Sequence, residues 1–177
     1  MADFSDEKFM EQFAASGREA DFIPLFRRYF ARLFRTARFL LRSSAEAEDA
    51  AQECFLRILH ARKDYRTGSA FAPWIFTILR NICIDKIRQK SAHEHHSIHE
   101  MAELSTPPST SLETRELLSR FQEGLEKMEE TERIIISLRI HNGFGYREIA
   151  EVVGISEEAV KKRAYRALAE LRKDISL

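Results

Sequence analysis

"YREIAEVVGISEEAVKKRAYRALAELRKDI", residues 146–175, decides the fold of the second half of the chain. Tyr146–Val153 reads as a short helix, Gly154–Ser156 as a tight turn and Glu157–Ile175 as a longer helix. Ile149, Ala150 and Val153 supply the inward positions of the first helix, and Val160, Ala164, Ala167 and Leu171 those of the second. Two helices joined by a glycine-containing turn make a helix-turn-helix. Ala150 is small and lies four residues before Gly154, which lets the two backbones cross closely. On a wheel of about 100° per residue, Glu158, Lys161, Lys162, Tyr165, Arg166, Arg172 and Lys173 fall opposite the apolar side. Such a face can enter a major groove, its cations meeting phosphates. The plainer alternative is a solvated basic helix. Ser156 is placed to cap the second helix, and Glu157 and Glu158 fill its first turn, where the helix dipole favours acids. A glutamate there can also accept a hydrogen bond from cytosine N4, and it repels phosphates, which penalises sequence-blind binding.

Working upstream, Thr131 is placed to cap a helix with Ile134, Ile135, Leu138 and Ile140 on its apolar face, ended by "HNGF" at 141–144. Before it, Leu117, Leu118, Phe121, Leu125 and Met128 recur at helical spacing. From about Ser91 to Ser111 the periodicity fails. This stretch is rich in His, Ser, Thr and Pro, and Pro107–Pro108 stops any helix, so it reads as a flexible linker. The first half carries three helical patterns. Phe22, Leu25, Phe26, Tyr29, Phe30, Leu33, Phe34, Ala37 and Leu41 form one face of a long helix. "SSAEAEDAAQECFLRILHAR" follows, with Ser44 as its expected cap and acids in its first turns. After a loop marked by Gly68 and Ser69, "FAPWIFTILRNICIDKIRQK" gives the third, with Pro73 tolerated in its first turn. The expected fold is all-α: two small helical domains, 1–90 and 112–177, joined by a linker over 91–111.

Composition agrees with helices. Only 6 Gly and 4 Pro are present, too few for a turn-rich sheet fold, while 44% apolar residues suffice for folded cores. Formal net charge is zero, yet the charge is segregated. Arg18 to Arg42 holds seven Arg and two acids; Ser43 to Glu53 holds four acids and no base. Arg57 to Lys90 holds eight bases against two acids, and Glu94 to Glu132 ten acids against three bases. Alternating blocks can present different surfaces to different partners. Cys54 and Cys83 sit inside apolar helical patterns and read as buried free thiols, which a reducing cytosol suits. The acidic opening "MADFSDEKF" does not read as a secretory leader, and no apolar run is long enough for a membrane span.

"AEDAAQECFLRIL", "DYRTGSAFAPWIFTILRNICIDKIR" and "LEKMEETERIIISLRIHNGFGYREIAEVVGISEEAVKKRAYRALAELR" together resemble the extracytoplasmic-function (ECF) class of bacterial RNA polymerase sigma factors. The resemblance implies a cytoplasmic transcription factor without bond chemistry or cofactor. It would join core RNA polymerase, carry it to chosen promoters, often under stress, and help open the DNA. In this reading residues 1–90 are sigma region 2, which binds the polymerase clamp coiled coil and reads and melts the minus-ten element. Residues 112–177 are region 4, which binds the minus-thirty-five element and the polymerase flap. Family members are often held by an anti-sigma factor. With no further domain after the helix-turn-helix, control is expected from another chain.

The resemblance also assigns residues. Asp49, Gln52 and Glu53 align with the clamp contact, where acids complement a basic coiled coil; stabilisation of a helix N-terminus is the plainer reading, and both can hold. Tyr65, Arg66, Phe71, Trp74, Arg80, Asn81, Lys86 and Arg88 align with the minus-ten reader. Aromatic rings can stack on unpaired bases, the Asn81 amide can pair with a base edge, and the cations suit the DNA backbone. Trp74 has a second reading as a core residue. Glu157, Glu158, Lys161, Lys162, Arg163 and Arg166 fall on the minus-thirty-five helix, although acids at 157 and 158 depart from the small or neutral residues usual there. His93, His95, His96 and His99 offer three readings: a plain linker, a pH-sensitive one, or a zinc site. Two rival functions remain, a stand-alone DNA-binding regulator and a helical metal-sensing or interaction module. The first leaves Tyr65–Asn81 without a purpose.

Overall fold

The computed structural model describes residues 5–93 and 112–175, all helix, turn and loop. The chain divides into two compact units, Met1–Ile98 and His99–Leu177. The expected linker lies almost wholly outside the described residues, as do His95, His96 and His99.

The first unit contains α1 (Asp6–Ser16), α2 (Glu19–Leu41), α3 (Ser44–Ala61), a 3-10 turn (Arg62–Asp64) and α4 (Phe71–His93). α2 packs on α1, α3 and α4, and α3 on α4. On α3, Ala47, Ala50 and Ala51 are fully buried; their spacing makes a small-residue face that lets neighbouring helices approach closely. Phe13, Leu25, Leu33, Ile58, Phe71, Ile75, Phe76, Leu79 and Ile82 fill the core between the helices. Not all of the α2 aromatic stripe is inside. Phe26 is 42% exposed, its ring 4.7 Å from that of Phe55 and 5.2 Å from that of Phe30. α2 ends on Arg42, held in the left-handed region at φ 59°, and Ser43 then caps α3 by accepting the Glu46 N–H at 3.3 Å. The cap is therefore Ser43 and not Ser44, because the αL reversal at Arg42 leaves Ser43 as the last extended residue. Cys54 and Cys83 are both fully buried; the Cys54 thiol donates to the Ile75 carbonyl at 3.6 Å. Burial pushes both thiols up, Cys83 to about 12 and Cys54 beyond the ordinary range.

α1 was invisible to the periodicity argument. Ser5 caps it through the Lys8 N–H, Gly17 ends it at φ 66°, and Met10 and Phe13 are its buried residues. Its polar side is tied to the rest of the unit. The Tyr29 hydroxyl donates to Asp6 at 2.7 Å, and Arg28 pairs with Asp6 at 2.6 Å.

The second unit contains α5 (Leu112–Lys127), α6 (Glu130–Asn142), α7 (Tyr146–Val153) and α8 (Glu157–Ile175). α8 packs on α5, α6 and α7. Among the described residues, Leu125, Met128, Ile134, Ile135, Ile136, Leu138, Phe144, Ile149, Val152, Val153, Val160, Ala164, Ala167 and Leu171 are buried and apolar. Thr131 does not cap α6. Glu129 is the cap residue, and its N–H donates to the Glu132 carboxylate at 3.2 Å, so the helix begins two residues earlier than expected. Ile140 is 58% exposed and Ile136 takes the inward place, because the buried face of α6 includes 134, 135, 136 and 138.

Candidate nucleic-acid and polymerase interfaces

α3 presents its acids outward. Asp49 and Gln52 are exposed and Glu53 half-buried. Glu53 pairs with Arg57 at 2.6 Å and Gln52 donates to Glu48 at 3.4 Å, whereas Asp49 has neither an ion pair nor a side-chain hydrogen bond among the described residues. Asp49 lies in the second turn of α3. Leu56, 55% exposed, stands at i+3 from Glu53 and i+7 from Asp49, an apolar contact within the acidic face. That register was readable in the sequence, but an isolated leucine in a helical pattern is assigned to the core by default.

The loop between the 3-10 turn and α4 is tightly built. Arg66 to Ser69 forms a turn closed by Ser69 N–H to Arg66 C=O at 3.0 Å, with Gly68 at φ 82°. Across it the Tyr65 hydroxyl donates to the Ser69 carbonyl. α1 holds the loop from outside: Gly68 N–H donates to Glu11 Oε1 at 3.2 Å and Phe71 N–H to Glu7 Oε1 at 3.1 Å. Phe71 is fully buried and Tyr65 is 7% exposed, their rings 6.3 Å apart. Neither ring is exposed in this fold, although both were expected among the minus-ten readers; both pack against Trp74. The Trp74 ring lies edge-on to Tyr65 at 5.1 Å and 6.0 Å from Phe71, and the residue is half-buried, between its two readings. Burial first, and the nearby Glu7 and Glu11 second, push the Tyr65 hydroxyl up to about 12, so it remains a donor.

Along α4, Trp74, Asn81 and Arg88 recur every seven residues and form one stripe opposite Leu79, Ile82 and Cys83. Asn81 and Arg88 are exposed. Arg66, in the loop, is exposed as well. Arg80 lies off the stripe by about 100° and is half-buried. Lys86 shares the register of Leu79 and Ile82, on the core side, and is half-buried too. The eight residues thus separate into a supporting pair, an outward stripe with Arg66, and two flanking cations.

The helix-turn-helix stands as read. Gly154 ends α7 at φ 73°, its N–H reaching the Ala150 carbonyl at 2.9 Å, and Ser156 caps α8 by accepting the Ala159 N–H at 3.2 Å. Glu148 accepts the Gly145 N–H at 2.7 Å at the start of α7. The basic face of α8 is partly spent inside the unit. Arg166 donates from Nε to Glu132 at 3.0 Å, and Glu132 is only 3% exposed, so the pair neutralises a buried carboxylate. Arg163 pairs with Glu129 at 3.1 Å. Both arginines therefore tie α8 to the start of α6, an arrangement their spacing in α8 could not reveal because the partners lie 34 residues away. Lys161 pairs with Glu157 at 2.7 Å and stands 5.9 Å from the Tyr146 ring; the hydrogen bond it donates to the Glu157 carboxylate raises its pKa. Lys162 and Glu158 are exposed and make no ion pair among the described residues. Tyr165, 63% exposed, adds an aromatic ring 6.3 Å from Tyr146 on the same side.

Residues 25–93 match the family model for sigma-70 region 2, and residues 118–171 that for sigma-70 region 4. ECF RNA polymerase sigma factor SigL of Mycobacterium tuberculosis is 31% identical over 163 residues, 90% of this chain and 91% of that one. RNA polymerase sigma factor CarQ of Myxococcus xanthus is 29% identical over 165 residues, 92% and 93% of the two chains. Among solved structures, CnrH in complex with the cytosolic domain of CnrY has a TM-score of 0.72 at 27% identity, covering 95% of each chain. With two sigma regions in order, and relatives matched nearly end to end, the chain belongs to the ECF class of RNA polymerase sigma factors.

Proposed function

We propose that the exposed faces divide the work of a promoter-specificity subunit between them. The chain is a sigma factor, and sigma factors are transcription initiation factors that bind core RNA polymerase and promoter DNA. The outer face of α3, with Asp49 unpaired beside Gln52, Glu53 and Leu56, is the surface offered to the polymerase clamp. The Trp74, Asn81 and Arg88 stripe with Arg66 takes the melted minus-ten strand. Residues 1–90 act as region 2 and residues 112–177 as region 4, with 91–111 between them. Lys161, Lys162 and Glu158 on α8, with Tyr165, meet the minus-thirty-five duplex, while Arg163 and Arg166 hold α8 in position. No helix among the described residues is long and apolar enough to cross a membrane, and the place of action is the cytoplasm, where polymerase and DNA are. Control comes from an anti-sigma chain that covers these faces; the related CnrH is in complex with the cytosolic domain of CnrY.

The observation that carries this reading is the outward register of Trp74, Asn81 and Arg88 beside a loop fixed at both ends. Run-off transcription with bacterial core polymerase, on a pool of promoters from the source genome, tests it. Discrete transcripts sharing two spaced upstream motifs are expected only when the protein is added. Failure to bind core would overturn the reading and leave a stand-alone DNA-binding regulator.

A further inference from the structure

The start of α4 lacks its own cap. The first amides of a helix have no intrahelical acceptor, and Ala70, just before Phe71, has no side-chain acceptor to offer. Ser69 does not serve either: its backbone carbonyl accepts from Tyr65, and its hydroxyl makes no hydrogen bond to this end of the helix among the described residues. The missing acceptor comes from 64 residues away: Glu7 takes the Phe71 N–H at 3.1 Å. One turn further along α1, Glu11 takes the Gly68 N–H at 3.2 Å. Glu7 and Glu11 share a face of α1, and Met10 and Phe13 anchor that helix in the core. Asp6 adds a tether to Tyr29 and Arg28 on α2. The carboxylates are thus mounted on a rigid element, and they grip backbone on both sides of Ser69–Ala70.

We propose that Glu7 and Glu11 are positioning residues for promoter reading, fixing the 65–71 loop and the start of α4 so that Arg66 and Trp74 are preset for the unpaired minus-ten strand. This rests on the reading of that loop and stripe as the minus-ten reader. An ordering cost is removed from the binding step, because a loop that is already fixed loses less freedom when DNA arrives. Charge alone predicts the reverse sign. Two carboxylates bound to the loop that carries Arg66 repel phosphates, so deleting them should strengthen binding to any strand. The two effects can therefore be separated by comparing specific with scrambled DNA.

The test uses the holoenzyme, full chain plus core polymerase, and forked DNA. Its single strand carries either the minus-ten motif defined by the run-off transcripts or a scrambled version. For Glu7→Ala with Glu11→Ala, discrimination between the two forks is expected to fall about tenfold, the equivalent of one charge-assisted hydrogen bond. Binding to the scrambled fork is expected to hold or rise, and affinity for core to stay unchanged. Amide exchange at Gly68 and Phe71 in the free protein is expected to quicken. Glu7→Gln with Glu11→Gln keeps an acceptor oxygen without the charge, and it is expected to retain most of the discrimination. If the unsubstituted holoenzyme does not discriminate, the minus-ten reading itself falls and the inference with it. If it discriminates and the alanine pair does so equally, the inference alone is overturned. Equal loss in the glutamine pair would also overturn it, since a retained acceptor oxygen would then not be enough to preset the loop.

Discussion

Lys162 and Arg166 sit four residues apart on the same helix, but replacing each with alanine is expected to cause a different loss. Lys162 has no ion pair among the described residues, so Lys162→Ala should weaken duplex binding uniformly across sequences. Its salt slope should fall by about 0.9, the share of one phosphate contact. Arg166 neutralises a carboxylate that is 3% exposed. Arg166→Ala should therefore lower the thermal midpoint of the second unit, with affinity falling only as the fold loosens. A salt slope reduced as much by Arg166→Ala as by Lys162→Ala would return Arg166 to the DNA face. A similar contrast separates Asn81 from Phe71. Asn81→Ala should slow promoter melting while leaving core binding and stability intact, read by permanganate footprinting. Phe71→Ala empties a fully buried site and should cost about 3–5 kcal/mol of stability. The wheel identified which residues of α8 point away from the core. It could not distinguish a cation waiting for phosphate from one already matched to Glu129 or Glu132, because that depends on a helix packed across from it.

At the scale of elements, the glycine-ended turns are where sequence and conformation correspond most directly. Gly154 stands at φ 73° and a Cβ there would meet nothing within 4 Å. Gly154→Ala therefore adds conformational strain without a clash. Its expected cost is about 1 kcal/mol in chemical denaturation of the second unit, with the m-value unchanged. A cost several times larger would mean that the turn is packed more closely than its open surroundings allow. The bounds of α7 and the start of α8 were legible to the residue, because Gly145, Gly154 and Ser156 mark them chemically and the apolar spacing between is regular. α1 was not legible. It contributes only Met10 and Phe13 as buried residues, and much of its attachment runs through Asp6, Glu7 and Glu11 to distant partners. Periodicity sees apolar faces; it does not see carboxylates that work as caps for another helix. The shifted starts of α3 and α6 have a related cause. At each, a residue one or two places earlier already had the extended backbone a cap requires, Ser43 at ψ 127° and Glu129 at ψ 149°.

Over the whole molecule, the formal neutrality conceals a division. Residues 1–98 hold sixteen bases and thirteen acids, and residues 99–177 hold twelve bases and fifteen acids. The unit with the helix-turn-helix is the acidic one, so its attraction to DNA depends on the arrangement of one face and not on bulk charge. Asp49→Lys is expected to weaken core binding chiefly through a slower association rate, with the gap to the unsubstituted protein closing as salt is raised. An unchanged rate in stopped flow would remove Asp49 from the contact. The two thiols have a practical consequence of another kind. Cys54 and Cys83 both lie in the first unit, fully enclosed and held as thiols, and the chain has no other cysteine. An alkylating reagent can reach them only when that unit opens. Under an excess of reagent the labelling rate becomes the opening rate, a clock built into the unmodified chain that runs for one half of the protein and is silent for the other.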